Sequence, residues 1–332
     1  MDKKLNVAVV GATGVVGSTF VKVLQEVKFP INNIYFFASA KSAGKKINFN
    51  GKTYEVEELT ENSFDRDLDL ALFSAGGDTS KKFAPIAASK GILVVDNSSA
   101  FRMDKEVALI VPEINSDDVK KYPSKIIANP NCSTIQSVLP LKVLDEKYKI
   151  KRIVYSTYQA VSGAGKKGLD DFERTMKGET PQCFAHPIFN NCLPHIDVFL
   201  DNGYTKEEEK MINETRKILG RGEDLKITAT TVRVPVENSH SVSINLEFEK
   251  DFDLKQIYED LKTVEGLVIM DDVKNNVYPI ATKATGTDDV YVGRIRRDFS
   301  LPSGLNMWTV ADNIRRGAAS NAIFIARKYF GV

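Results

Sequence analysis

The sequence predicts an α/β protein in two parts, a doubly wound parallel sheet followed by an α+β domain on a mainly antiparallel sheet. Three observations carry that prediction. Short apolar runs alternate with helically spaced ones through the first 131 residues, and strictly alternating strands begin near Lys151. A length of 332 residues also exceeds what one core commonly holds. The spacing places one domain at 1–131 plus 312–332 and the other at 132–311.

Composition narrows the function before any motif does. With 45 Lys and Arg against 44 Asp and Glu, the net charge of +1 leaves no footprint for nucleic acid or an anionic membrane, so small-molecule work is expected. The three cysteines, Cys132, Cys183 and Cys192, form no CxxC spacing, which argues against a disulfide framework and against a structural zinc site, and no metal is expected. That usage suits a reducing cytoplasm. Met1-Asp2-Lys3-Lys4-Leu5 runs straight into a strand without a leader, and no window approaches eighteen apolar residues.

Leu5 to Val10 is the first apolar run, followed by Gly11-Ala12-Thr13-Gly14-Val15-Val16-Gly17 and a helical pattern in Val16, Phe20, Val23, Leu24 and Val27. Strand, glycine turn and helix in that order define a Rossmann-type unit. Glycine is needed where the turn is tight and where backbone meets a pyrophosphate, and the helix N-terminus faces the negative charge. The spacing is GxxGxxG. A second strand over Ile34–Ala38 ends in Ser39-Ala40-Lys41-Ser42-Ala43-Gly44-Lys45, where such units usually carry an acid for the ribose 2′-OH. No acid stands there. Lys41 and Ser42 suit a 2′-phosphate, favouring NADP with NAD as the weaker alternative; an ordinary solvated loop is the other reading.

Further strands are expected at Asp69–Phe73, Ile92–Val95 and Val107–Val111. Arg102 follows one of them on a loop at the carboxyl end, where open sheets bind ligands; it suits a phosphate or an ordinary ion pair. Ile126 to Pro140 then holds the centre of the chain. Asn129-Pro130-Asn131 stops a short strand, and Ile135, Val138 and Leu139 show helical spacing, so Cys132 falls on the first turn of a helix. The dipole and unpaired N–H groups there favour the thiolate, and the same N–H groups suit an oxyanion or phosphate; taken alone, Cys132 also reads as a small buried hydrophobe, as most free cysteines are.

The second part opens with an alternating strand over Lys151–Ala160, closing at Gln159 beside Ser162-Gly163-Ala164-Gly165, glycines that suit a cofactor contact or a plain loop. A helix over 165–176 leads into an irregular crossing over 178–197 that holds Pro181, Pro187, Pro194, His186 and His195. The two histidines are assigned no chemistry. Thr205-Lys206-Glu207-Glu208 is a capping box for a helix through Leu219 on which Glu214 and Lys217, alone, read as a surface ion pair. Lys226–Val236 and Ser241–Phe248 are expected to pair as antiparallel strands, with Arg233 and His240 near their ends. A helix at Leu254–Leu261, strands at Leu267–Met270, Tyr291–Phe299 and Leu305–Val310, and a last helix over Asp312–Tyr329 complete the chain. The alanines of that helix are expected to pack it on the first domain.

These groups fit one chemistry. A thiolate attacks an acyl carbon to form a thioester, a reduced nicotinamide reduces it, and a histidine manages the proton. An acyl phosphate is the natural activated substrate, with inorganic phosphate as its leaving group.

The glycine turn, Ser42-Ala43-Gly44-Lys45, Asn129-Pro130-Asn131-Cys132-Ser133-Thr134, Tyr158-Gln159-Ala160-Val161-Ser162-Gly163-Ala164-Gly165, the Glu214-to-Lys217 helix, Arg233-Val234-Pro235-Val236 with His240-Ser241, and Trp308-Thr309-Val310-Ala311-Asp312-Asn313 together resemble the aspartate-β-semialdehyde dehydrogenase family over nearly the whole chain. The resemblance implies NADPH-dependent reductive dephosphorylation of L-aspartyl-4-phosphate, on the route to lysine, threonine, methionine and isoleucine. It makes Cys132 the nucleophile, His240 the acid/base and Gln159 the group that orients the acyl intermediate. Glu214 and Arg233 would hold the amino-acid part of the substrate, and Arg102, Asn131 and Lys217 the phosphate. Gly11, Thr13, Gly14, Val15, Val16, Lys41, Ser42, Ser162, Gly163 and Asn313 would meet the cofactor. A homodimer, or a tetramer of such dimers, is also implied.

Two positions depart from the family pattern. Lys41 replaces the usual arginine, a point charge without the planar fork. Glu237-Asn238-Ser239 stands where a less acidic, often glycine-containing turn is expected, and Glu237 either raises the pKa of His240 or points to water. The rival assignments are an N-acetyl-γ-glutamyl-phosphate reductase, which must accommodate an acetyl group, and a non-catalytic NADP-binding regulator, which needs no nucleophile.

Overall fold

The computed structural model describes residues 4–332. Met1 to Lys3, read above as leading directly into the first strand, lie outside the described residues. Two compact units are present, one reaching to Pro130 and taking in Ala318–Val332, the other spanning Asn131–Gly317.

In the first unit, β1 (Leu5–Val10) is buried at every position, as a parallel strand covered on both faces must be. It is followed by α1 (Val15–Glu26), β2 (Ile31–Ala38), β3 (Lys46–Phe49), β4 (Lys52–Glu58), β5 (Leu70–Phe73), α2 (Gly77–Ser89), β6 (Leu93–Asp96), β7 (Ala108–Leu109), α3 (Pro112–Asn115) and β8 (Ile126–Ala128). The eight strands run in the order β3-β4-β2-β1-β5-β6-β8-β7. All adjacent pairs are parallel except β3 with β4. Because β1 pairs with β2 on one side and β5 on the other, the chain reverses its direction of growth there. The crevice at the carboxyl end of β1 is thus the switch point where such sheets take ligands.

The sequence reading passes over the β3–β4 hairpin. Its signal is Asn50-Gly51, both with positive φ (48° and 76°), the pairing a tight two-residue turn demands. The strand expected at Val107–Val111 shrinks to β7 because Asn115 Oδ1 takes the Val111 N–H and Pro112 has none to give.

The second unit contains α4 (Cys132–Tyr148), β9 (Ile150–Gln159), α5 (Gly165–Met176), α6 (Lys206–Leu219), β10 (Lys226–Arg233), β11 (His240–Phe248), α7 (Leu254–Lys262), β12 (Leu267–Ile269), α8 (Ala281–Ala284), β13 (Val290–Asp298) and β14 (Gly304–Ala311). Its six strands run β10-β9-β11-β14-β13-β12, and α4 packs on β9, β11 and β14 beside α6 and α7. β10 and β11 do not form the expected hairpin, since β9 lies between them, parallel to β10 and antiparallel to β11. The connection lacks a two-residue turn. Instead its carbonyls at Val236 and Glu237 accept from Val161 and Ser162, which fixes it to the turn after β9.

The expected terminal helix is divided. Asp312 Oδ1 takes the N–H groups of Ile314 and Arg315 at 2.9 Å, and Gly317 N–H then reaches back five residues to the Asp312 carbonyl at 2.9 Å. The result is a π-helical turn over Arg315–Ser320 before α9 (Asn321–Phe330). Ala322, Ile323, Ile325 and Ala326 of α9 share one core cluster with Leu5, Val7 and Val9 of β1 and Phe20 and Leu24 of α1. Among the described residues no helix is long and apolar enough to cross a membrane.

Candidate active site

Cys132 is the first residue of α4 and is partly exposed. Asn131 caps that helix, its Oδ1 accepting from Ser133 N–H at 2.9 Å and Thr134 N–H at 3.3 Å. Those two N–H groups, offered above to an oxyanion or phosphate, are therefore spent on the cap. The π-helical turn brings Gly317 against Cys132 so closely that a methyl group there would stand 2.7 Å from the Cys132 Cβ. Only glycine fits that approach.

His240 opens β11 and is fully buried. Its Nδ1 accepts from Ala160 N–H at 2.9 Å, so the neutral ring carries its proton on Nε2, and Nε2 has no hydrogen-bond partner among the described residues. Burial, then the Arg233 charge, hold its pKa well below the ordinary histidine value. The imidazole is thus a neutral donor poised at Nε2. Glu237 is exposed and takes no part in that shift, so of its two readings the one pointing to water holds. Ser239, next in line, adopts φ of 75°, a left-handed conformation that explains why a glycine was expected in this turn. Asn313 Oδ1 accepts its N–H at 2.8 Å, Thr285 Oγ1 meets its hydroxyl at 2.8 Å, and Asn313 also bonds Ser162.

Arg233 is buried, with Nη1 donating to the Ala160 carbonyl at 2.7 Å and its plane over Phe184, centroid distance 5.7 Å. Its Nε has no hydrogen-bond partner among the described residues, and burial lowers its pKa while Glu207 and Cys132 oppose that. A buried guanidinium without a direct ion pair is a site for an anion. Phe184 comes from the irregular crossing, which Leu193 fastens to Arg233 by two backbone hydrogen bonds of 2.8 Å. Gly163 lies alongside; a methyl group on it would stand 2.7 Å from Arg233 Nη1 and 3.2 Å from His240 Nε2.

One face of α6 completes the unit. Glu207, Met211 and Glu214 are spaced i, i+4 and i+7, so all three meet the same strip of neighbouring chain. Glu214 Oε2 accepts from Asn131 N–H at 2.6 Å, Met211 Sδ from Thr134 Oγ1 at 3.6 Å, and Glu207 Oε1 from Asn131 Nδ2 at 2.8 Å. Glu214 is almost completely buried and Lys217 half-buried, so these two residues do not lie on the open surface expected from the sequence. Gln159 Nε2 donates to Ser133 Oγ at 2.6 Å and to Glu207 Oε1 at 3.3 Å. Glu207 was not anticipated, although its spacing of seven from Glu214 was the available signal.

The remaining expected residues belong to the first unit. Gly11 has φ of 82°, and a Cβ on it would meet the Ser74 carbonyl at 2.3 Å; on Gly17 it would meet the Gly11 carbonyl at 2.0 Å. Thr13 and Gly14 are exposed and Val15 and Val16 half-buried at the start of α1. This tight, accessible turn at a helix N-terminus fits a dinucleotide pyrophosphate. Lys41 is exposed and Ser42 half-buried in the turn after β2. Arg102 is buried, donating from Nε to the Asn129 carbonyl and from Nη2 to the Asn97 carbonyl, both at 2.9 Å.

Fold and site together define an NAD(P)-dependent oxidoreductase, with Cys132 and His240 in one unit. Two family models match the chain, "Semialdehyde dehydrogenase, NAD binding domain" over residues 6–122 and "Semialdehyde dehydrogenase, dimerisation domain" over 141–316. Aspartate-semialdehyde dehydrogenase of Aquifex aeolicus is 54% identical over 96% of both chains. That of Campylobacter jejuni is 48% identical over 99% of this chain and 98% of its own. The structure of aspartate semialdehyde dehydrogenase II from Vibrio cholerae, complexed with ASA, superposes with a TM-score of 0.94 at 43% identity, covering 98% of each chain. A relative from Candida albicans, solved with NADP, gives a TM-score of 0.76 at 26% identity over 98% of each chain. The chain belongs to the aspartate-semialdehyde dehydrogenase family, and its matched dimerisation domain makes it a homo-oligomer.

Proposed function

We propose that the chain converts L-aspartyl-4-phosphate to L-aspartate 4-semialdehyde, releasing inorganic phosphate, through a thioester on Cys132. The observation that carries the reading is the company of Cys132: its helix bonds Gln159 through Ser133 and the His240 carbonyl through Gln136 at 3.2 Å. The Cys132 thiolate attacks the acyl carbon, the C–O bond to phosphate breaks, and phosphate departs with that electron pair. When bound, NADPH supplies the hydride that reduces the thioester carbon. His240, neutral with its proton on Nε2, donates toward the developing oxyanion, and collapse of the C–S bond returns the thiolate and frees the aldehyde. Arg233, buried without a direct ion pair, holds the substrate α-carboxylate. Glu214 holds the α-ammonium, and Arg102, Asn131 and Lys217 serve the phosphate.

The glycine turn and Ser42 hold the cofactor, with Lys41 supporting NADP over NAD and Ser162, Gly163 and Asn313 also meeting it. Residues 1–131 with 312–332 form the nucleotide domain and 132–311 the catalytic and dimerisation domain. The assembly is a homodimer or a tetramer of dimers, working in the cytoplasm in biosynthesis of lysine, threonine, methionine and isoleucine. Phosphate-dependent oxidation of aspartate semialdehyde, followed with NADP and with NAD, tests the reading. Cys132→Ala is expected to lower turnover by at least a thousandfold while NADP binding stays within about twofold. Activity above about one per cent of the unaltered enzyme refutes the thioester.

A further inference from the structure

Glu207 is buried at the first turn of α6, and four nitrogen-bearing side chains surround it. Asn131 Nδ2 lies at 2.8 Å, Gln159 Nε2 at 3.3 Å and Lys210 Nζ at 3.1 Å, and the Arg233 charge is felt as well. Burial by itself would raise the pKa of this carboxyl. Lys210, the Asn131 hydrogen bond and Arg233 outweigh that and keep it below the ordinary glutamate value. Lys210 is itself anchored on Asp197 at 2.7 Å.

An ionised carboxylate only accepts hydrogen bonds. Each amide facing it must therefore present nitrogen, although the flipped amide has nearly the same shape. For Asn131 this turns Oδ1 to the Ser133 and Thr134 N–H groups, which is the cap that starts the helix of Cys132. For Gln159 it commits Nε2 to Glu207 and the Ser133 hydroxyl, leaving the amide oxygen as the group not spent on either. We infer that Glu207 is a positioning residue of this enzyme, a buried counter-charge that fixes which way round the amides of Asn131 and Gln159 stand beside Cys132. The inference rests on the function proposed above for its kinetic consequence, and on geometry alone for the amide orientation.

Glu207→Gln tests it, because glutamine keeps the shape but offers either end of an amide to its neighbours. The variant is expected to lower kcat/KM for aspartate semialdehyde at least tenfold, with the NADP dissociation constant unchanged within twofold. In a Gln159→Ala background the same substitution is expected to cost less than threefold, since the residue it acts through is already gone. Lys210→Met, which leaves the carboxylate but removes its ammonium, carries the same cycle should Glu207→Gln not fold. Independently of turnover, Glu207→Gln or Lys210→Met is expected to speed amide hydrogen exchange at Ser133 and Thr134 at least tenfold at unchanged melting temperature. Exchange that is unaltered, or a cost that multiplies in full on Gln159→Ala, overturns the positioning role. An inactive unaltered enzyme would instead refute the proposed function, and the exchange measurement would still decide the role of Glu207.

Discussion

His240 shows how much one backbone N–H can decide. With Ala160 donating to Nδ1, the ring offers a proton at Nε2, and burial with Arg233 close by keeps it neutral in the folded enzyme. In the unfolded chain the same ring protonates near pH 6.5. The unfolded state therefore binds more protons as pH falls below about 6.5, so stability drops there, by at most about 1.4 kcal/mol per pH unit. Urea unfolding of the unaltered protein and of His240→Asn between pH 7.5 and 5.5 checks this: the variant is expected to have the shallower slope, and equal slopes would refute the assignment. Ser239 sits beside it at φ of 75°. Glycine reaches that conformation without strain, whereas a β-branched side chain meets a penalty of about 1–2 kcal/mol. Ser239→Gly is expected to keep stability within about 1 kcal/mol, with Ser239→Val losing about 2 kcal/mol or more, as read by denaturant midpoint. The family resemblance singled out His240 and led us to expect a glycine-containing turn before it. The sequence had no means of naming Ala160, whose contribution is a backbone group placed by β9.

Secondary structure was legible wherever period and punctuation agreed. The capping box at Thr205, the stop at Asn129-Pro130 and the buried run of β1 all lie where local chemistry puts them. The π-helical turn was not legible. Its cause is Asp312 drawing in the N–H groups of Ile314 and Arg315, after which the chain is one residue out of α-helical register. The turn sets Gly317 against Cys132, so Gly317→Ala should overpack that contact. We expect a loss of about 1–3 kcal/mol in stability and at least tenfold in kcat/KM. Equal kinetics for Gly317→Ala and the unaltered enzyme would mean that the turn has no bearing on the chemistry proposed for Cys132.

At the scale of the whole molecule, the proposed function divides the labour between the two units, and substitutions should separate accordingly. Lys41→Glu, in the turn after β2, is expected to shift the kcat/KM ratio from NADP toward NAD because a carboxylate repels a 2′-phosphate and accepts from a 2′-OH. Alkylation of Cys132 by iodoacetamide should be unchanged in that variant. Arg233→Lys keeps the charge but loses the fork. It should lower kcat/KM for aspartate semialdehyde at least tenfold, about 1.4 kcal/mol, and leave the NADP dissociation constant alone. The converse pattern, with Lys41→Glu altering alkylation or Arg233→Lys weakening NADP, would refute the division.

The sequence by itself determined the two-part α/β architecture, the dinucleotide turn, and the placing of Cys132 at a helix start, because each depends on short-range rules: apolar period, glycine where backbone crowds, proline where a strand must stop. Tertiary structure alone decided that β9 separates β10 from β11, that the N–H groups beside Cys132 are taken by Asn131, and that Glu207 stands behind Asn131 and Gln159. Those facts depend on which distant segment reaches a backbone or side-chain donor first. Hydrogen-bond partners 48 and 76 residues apart leave no local trace beyond a spacing of seven on one helix face.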